Sequence, residues 1–121
     1  MRPIVLAVCV AVWTVGAAAP ASAHAFLDHA TPAVGSTVHG SPPRVELWFT
    51  QELEPAFSTV RVLDQGNHRQ DKGDAQVAAG DATLLQVSLP QLPPGRYRVE
   101  WRVTSVDTHV TEGDFTFVVA P

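Results

Sequence analysis

The chain has 121 residues and a net charge of −4, room for one small domain and little more. A single cysteine, Cys9, excludes an internal disulfide pair, a thiolate zinc cage and an iron–sulfur cluster. The acidic balance excludes a phosphate-binding stripe for nucleic acid, and no glycine-rich phosphate loop, Gly-x-Ser-x-Gly or His-Glu-x-x-His occurs.

The first 23 residues read as an export signal. Arg2 supplies a positive start, Ile4 to Ala19 is apolar apart from Thr14 and Gly16, and Ala21-Ser22-Ala23 has the small-x-small form of a signal-peptidase site. The run is too short and too early for a membrane anchor. Cys9 sits inside it behind the bulky Val8, so it reads as a spectator and not as a lipidated residue. Cleavage after Ala23 removes Cys9, Met1 and Arg2, takes the charge from −4 to −5, and makes His24 the first residue of a mature domain over 24–121.

That domain alternates apolar and polar residues with a period of two. Val45, Leu47 and Phe49 alternate with Arg44, Glu46 and Trp48, and Val60 and Val62 with Thr59, Arg61 and Leu63. Leu85, Val87 and Leu89 form a third set, Tyr97, Val99, Trp101 and Val103 a fourth, and Phe115, Phe117 and Val119 a fifth. Such alternation predicts half-buried strands. Gly40-Ser41-Pro42-Pro43, Gln65-Gly66-Asn67, Gly80-Asp81 and Pro93-Pro94-Gly95 supply turns between them. The expected fold is all-β, an antiparallel, immunoglobulin-like Greek-key sandwich or barrel of about seven strands. Asp64 to Thr83 is expected to be a long, mobile connection with one irregular strand. Trp48 is out of phase with its strand, and its role is open.

Metal chemistry is suggested at two places. An N-terminal His24 would offer its α-amine and its Nδ1 to one ion, closing a chelate ring. Asp107 and His109 are two apart in a segment after the fourth strand, where extended backbone would project both to one side. Amine, two imidazoles and a carboxylate, with no sulfur in the mature chain, suit Cu(II). Zinc accepts the same residue types in a tetrahedral array. His29, His39 and His68 lie in polar turns and read as solvated side chains, with His29 the first exception to consider.

His24-Ala25-x-Leu27, Thr31-Pro32-Ala33-x-Gly35, and Pro94-Gly95-x-Tyr97-x-Val99-x-Trp101 leading to Ser105-x-Asp107-x-His109-x-x-x-Gly113-x-Phe115-x-Phe117 resemble the CopC family of periplasmic copper-binding proteins. The resemblance implies a small β-barrel or sandwich holding one Cu(II) on His24, Asp107 and His109. It implies a role in copper resistance or uptake, often beside a CopD-like membrane partner. A periplasmic monomer that is not an enzyme is the expectation. Three features depart from the family pattern. The mature chain lacks a methionine-rich loop, Phe26 stands where some members have a second histidine, and Gln51-Glu52 replaces a Glu-Pro pair near the copper. Two other functions compete. One is a copper-dependent polysaccharide monooxygenase, which needs open metal positions and a broad flat face. The other is a metal-free immunoglobulin-like adhesion module, for which the histidines are incidental.

Overall fold

In the computed structural model the described residues are Pro3, 9–11 and 24–121. The expected signal segment and its cleavage site therefore lie almost wholly outside them, the site itself entirely. Eight strands form two four-stranded sheets. In chain order they are β1 (Leu27–Thr31), β2 (Thr37–His39), β3 (Arg44–Phe49), β4 (Thr59–Leu63), β5 (Gln76–Ala78), β6 (Asp81–Ser88), β7 (Gly95–Thr104) and β8 (Val110–Ala120). The first sheet has the order β1-β3-β6-β5 and the second β2-β8-β7-β4. A 3-10 turn at Pro55–Phe57 links β3 to β4 across the two layers.

The period of two is the fold's main determinant. Val45, Leu47, Phe49, Val60, Val62, Leu85, Val87, Tyr97, Val99, Val103, Phe115, Phe117 and Val119 all point between the sheets and are buried. Their phase cannot slip by one residue without turning every side chain to solvent. Trp101 is only partly buried, although its ring meets Phe49 edge-on at 5.1 Å. It lies across its β8 partner Gly113, where an added Cβ would come within 2.5 Å of the indole. The Tyr97 hydroxyl donates to the Pro93 carbonyl, fastening the start of β7 to the turn before it, as a tyrosine corner does.

The architecture differs from the sequence expectation in three respects. The described residues form eight strands where about seven were expected: the three-residue β2 is too short to show a period, while β5, with its register shift, is the one irregular strand expected between Asp64 and Thr83. The β2–β8 pair runs parallel, Thr37 beside Val118 and His39 beside Ala120, in an otherwise antiparallel fold. The Asp64 to Thr83 stretch is also more tied down than its composition suggests. Asp64 accepts the N–H groups of Gly66 and His68, Asp71 those of Val62 and Gly73, and Asp74 that of Ser88. Three carboxylates do there what a ladder does elsewhere.

Candidate metal centre

The site is built at one end of the sandwich, where the segment beginning at His24 meets the β7–β8 hairpin. His24 is exposed, but the next residue, Ala25, is completely buried. Two threonines hold this segment in place. The Thr111 hydroxyl of β8 donates to the Ala25 carbonyl at 2.7 Å, across 86 positions of sequence. The Phe26 N–H donates to Thr50 Oγ1 at 3.0 Å, and the Thr50 N–H returns a bond to the Phe26 carbonyl at 2.9 Å. Residues of β8 and just after β3 thus clamp the two positions after His24, Thr111 holding Ala25 and Thr50 holding Phe26.

The opposite wall is the hairpin loop from Ser105 to His109. The Ser105 N–H donates to the His109 carbonyl at 2.9 Å and the Thr108 N–H to the Ser105 carbonyl at 2.8 Å. Thr108 has a φ of 75°, a left-handed conformation that is rare for a β-branched residue. It makes the chain turn between Asp107 and His109, so the pair sits in a tight turn and not in the extended segment expected. The two side chains still meet: His109 Nδ1 is 3.6 Å from Asp107 Oδ1. Ser105, fully buried, donates its hydroxyl to Asp107 Oδ1. That hydrogen bond, with smaller help from His109, holds the Asp107 carboxyl below the usual carboxylate range against the opposing effect of burial.

The structure brings His24 to this loop. Its ring stacks on that of His109, centroids 4.9 Å apart and planes inclined by 23°. Stacked rings keep their nitrogen lone pairs in parallel planes, so they do not aim at one point. Among the described residues no three His, Cys, Asp or Glu side chains form a ready-made metal group. Asp107 and His109 are each about half exposed (48%), so both side chains are open to solvent. An imidazole pair and an ionised carboxylate match the donors that a borderline divalent ion such as Cu(II) takes.

The other candidates separate cleanly. His29 stacks on Trp48 at 4.5 Å with planes 7° apart, and its Nδ1 lies 2.7 Å from Asp28 Oδ2. The out-of-phase Trp48 thus covers a histidine on the outer face of the first sheet. His39 is exposed in β2, and His68 is exposed 3.5 Å from Asp64. Glu52 touches the site loop through its main chain, its carbonyl accepting the Val106 N–H at 3.0 Å. A concavity of about 350 Å³ lies on the outer face of the second sheet among Arg61, Arg69, Glu100 and Arg102, and none of the three candidate ligands lines it. Sequence reasoning missed the roles of Thr50 and Thr111, and placed Ser105 in the family pattern without a role of its own.

Comparison with known proteins covers most of the described residues. The CopC domain family matches residues 27–120. Protein YobA of Escherichia coli K12 is 37% identical over 98 residues, covering 80% of this chain and 79% of YobA. Copper resistance protein C of Escherichia coli is 35% identical over 111 residues, covering 86% of this chain and 87% of that protein. The crystal structure of CopC from Methylosinus trichosporium OB3b superposes with a TM-score of 0.73 at 36% identity, over 81% of this chain and 95% of that one. The chain therefore belongs to the CopC family, a family of copper resistance proteins and not of enzymes.

Proposed function

We propose that the mature protein, released by cleavage after Ala23, carries one Cu(II) in the periplasm, buffering copper or delivering it to a CopD-like inner-membrane transporter. The ligands are the His24 α-amine and imidazole, the Asp107 carboxylate and the His109 imidazole. The observation that carries this reading is the stacking of the His24 ring on His109, 4.9 Å away, with Asp107 beside it. A chain start and a distant hairpin loop converge there, and both ends of the contact are imidazoles.

In the precursor the His24 nitrogen is an amide and a poor ligand at neutral pH. Cleavage turns it into an amine and completes a chelate with the imidazole of the same residue. Export and metal competence are thereby coupled, and copper binds tightly only after the signal has gone. The domain works as a monomer, each copy holding its own ion.

The test compares mature protein starting at His24 with protein bearing one extra residue before it. The extended form is expected to bind Cu(II) more weakly by several orders of magnitude, since a donor and its ring are lost, a large share of the free energy of such sites. Equal affinity in a competitive titration would remove the amine from the ligand set.

A further inference from the structure

Four large apolar side chains, Phe26, Phe57, Val106 and Val110, are between 48% and 69% exposed, and all lie at the end of the sandwich that holds His24 and His109. Phe26 faces the His24 ring at 6.1 Å. Val106 precedes Asp107 and Val110 follows His109. Phe57 ends the 3-10 turn, and its carbonyl accepts the hydroxyl of Thr104, next to Ser105. Elsewhere among the described residues only Val10 and Val34 are large, apolar and exposed. Apolar surface gathered in one place marks a contact surface, whereas scattered residues do not.

Charge says what it contacts. The segments 24–31, 49–58 and 103–114, which build this end, contain no lysine or arginine. Glu52 and Glu54 flank the apolar residues, and among the described residues neither pairs with a cation. A second copy would set carboxylate against carboxylate, and an anionic bilayer would be repelled in the same way.

We infer that this apolar, acid-flanked rim is the docking surface for a copper-accepting protein whose mouth is apolar and ringed by lysine and arginine. The inference rests on the copper-carrier reading and names the face through which that carrier delivers. Docking there sets the acceptor's ligands directly over His24 and His109. The apolar contact excludes water while the carboxylates steer approach.

The experiment uses the Cu(II)-loaded mature protein and a purified CopD-like transporter, following copper loss from the donor by electron paramagnetic resonance. Phe57→Ser and Glu54→Lys, neither at a candidate ligand, are expected to keep wild-type Cu(II) affinity and spectrum. Each should slow transfer about tenfold, and added salt should slow the wild type but not Glu54→Lys. Transfer at wild-type rate by both variants, or no transfer to the transporter by wild type, would overturn the proposal. So would loss of Cu(II) affinity in the variants, which would make the rim part of the metal site. A wild-type dimer abolished by Phe57→Ser would assign the rim to a second copy, and wild-type binding to protein-free vesicles would assign it to lipid. Failure of the unmodified mature protein to bind Cu(II) at all would instead defeat the carrier reading, so the two failures are distinguishable.

Discussion

At the scale of single residues the candidate centre divides into groups that donate and groups that hold donors in place. His109→Ala is expected to weaken Cu(II) binding more than Asp107→Ala, because imidazole is the better copper donor. Both variants should keep the wild-type far-ultraviolet dichroism, since the two side chains stand at the surface. A competitive titration checks the order. Thr111 makes a different prediction. Its hydroxyl is the bond from β8 to the buried Ala25 carbonyl, and Thr111→Val leaves that carbonyl unpaired, a loss of about 1–3 kcal/mol. Part of that loss appears as a displaced chain start, so Cu(II) affinity should fall about tenfold, with Thr111→Ser restoring it. Unchanged affinity in the valine variant would show that the clamp does not position His24. The candidate donors could be singled out in the sequence because histidine and aspartate carry metal chemistry by type. The roles of Thr50, Thr111 and Ser105 could not, since serine and threonine are ordinary strand residues and only the fold shows which carbonyl or carboxylate they meet.

At the scale of elements, legibility followed length. Strands β3, β4, β6, β7 and β8 were readable because each has several inward residues in phase. Strand β1 was hidden by a bulge: Leu27 pairs with Phe49 and His29 with Trp48, so Asp28 is the extra residue and the alternation breaks. Strands β2 and β5, three residues each, owe their state to neighbouring strands and not to their own pattern. The Asp64–Thr83 connection depends on carboxylates, and this gives a pH prediction. The Asp71 side chain is completely inaccessible, and burial alone would raise its pKa. The hydrogen bonds from Arg69 and from the Val62 and Gly73 N–H groups outweigh burial and leave it lowered. Asp64, Asp74 and Asp81 are lowered as well. A group whose folded pKa is depressed contributes stability above its unfolded pKa, about 3.9 for aspartate, and loses it as pH falls through the folded value. Stability measured by urea unfolding should therefore hold from neutral pH to about 5 and fall below about 4. Asp71→Asn should lower the neutral-pH stability and flatten that acid fall. An acid fall of the same size in Asp71→Asn would mean that other carboxylates carry it.

At the scale of the whole molecule, composition and fold bear on the same question, which oxidation state is carried. Residues 24–121 contain no cysteine or methionine, so neither the core nor the surface they form offers the thiolate or thioether donors that Cu(I) prefers. That core is aliphatic and aromatic throughout, and the only imidazole pair in ring contact among the described residues is that of His24 and His109. One site with nitrogen and oxygen donors favours Cu(II), and reduction should loosen the ion. The expectation is one equivalent of Cu(II) bound tightly, and under ascorbate a rapid loss of copper to a Cu(I) chelator. Release by reduction also fits the geometry, because the site lies at an exposed rim and no element has to open for the ion to leave. The check is a competition titration in both oxidation states on the mature protein. Retention of Cu(I) as tight as that of Cu(II) would contradict a release driven by reduction. It would direct attention to His29, whose Nδ1 is engaged by Asp28 while its other ring nitrogen has no partner in the same pair.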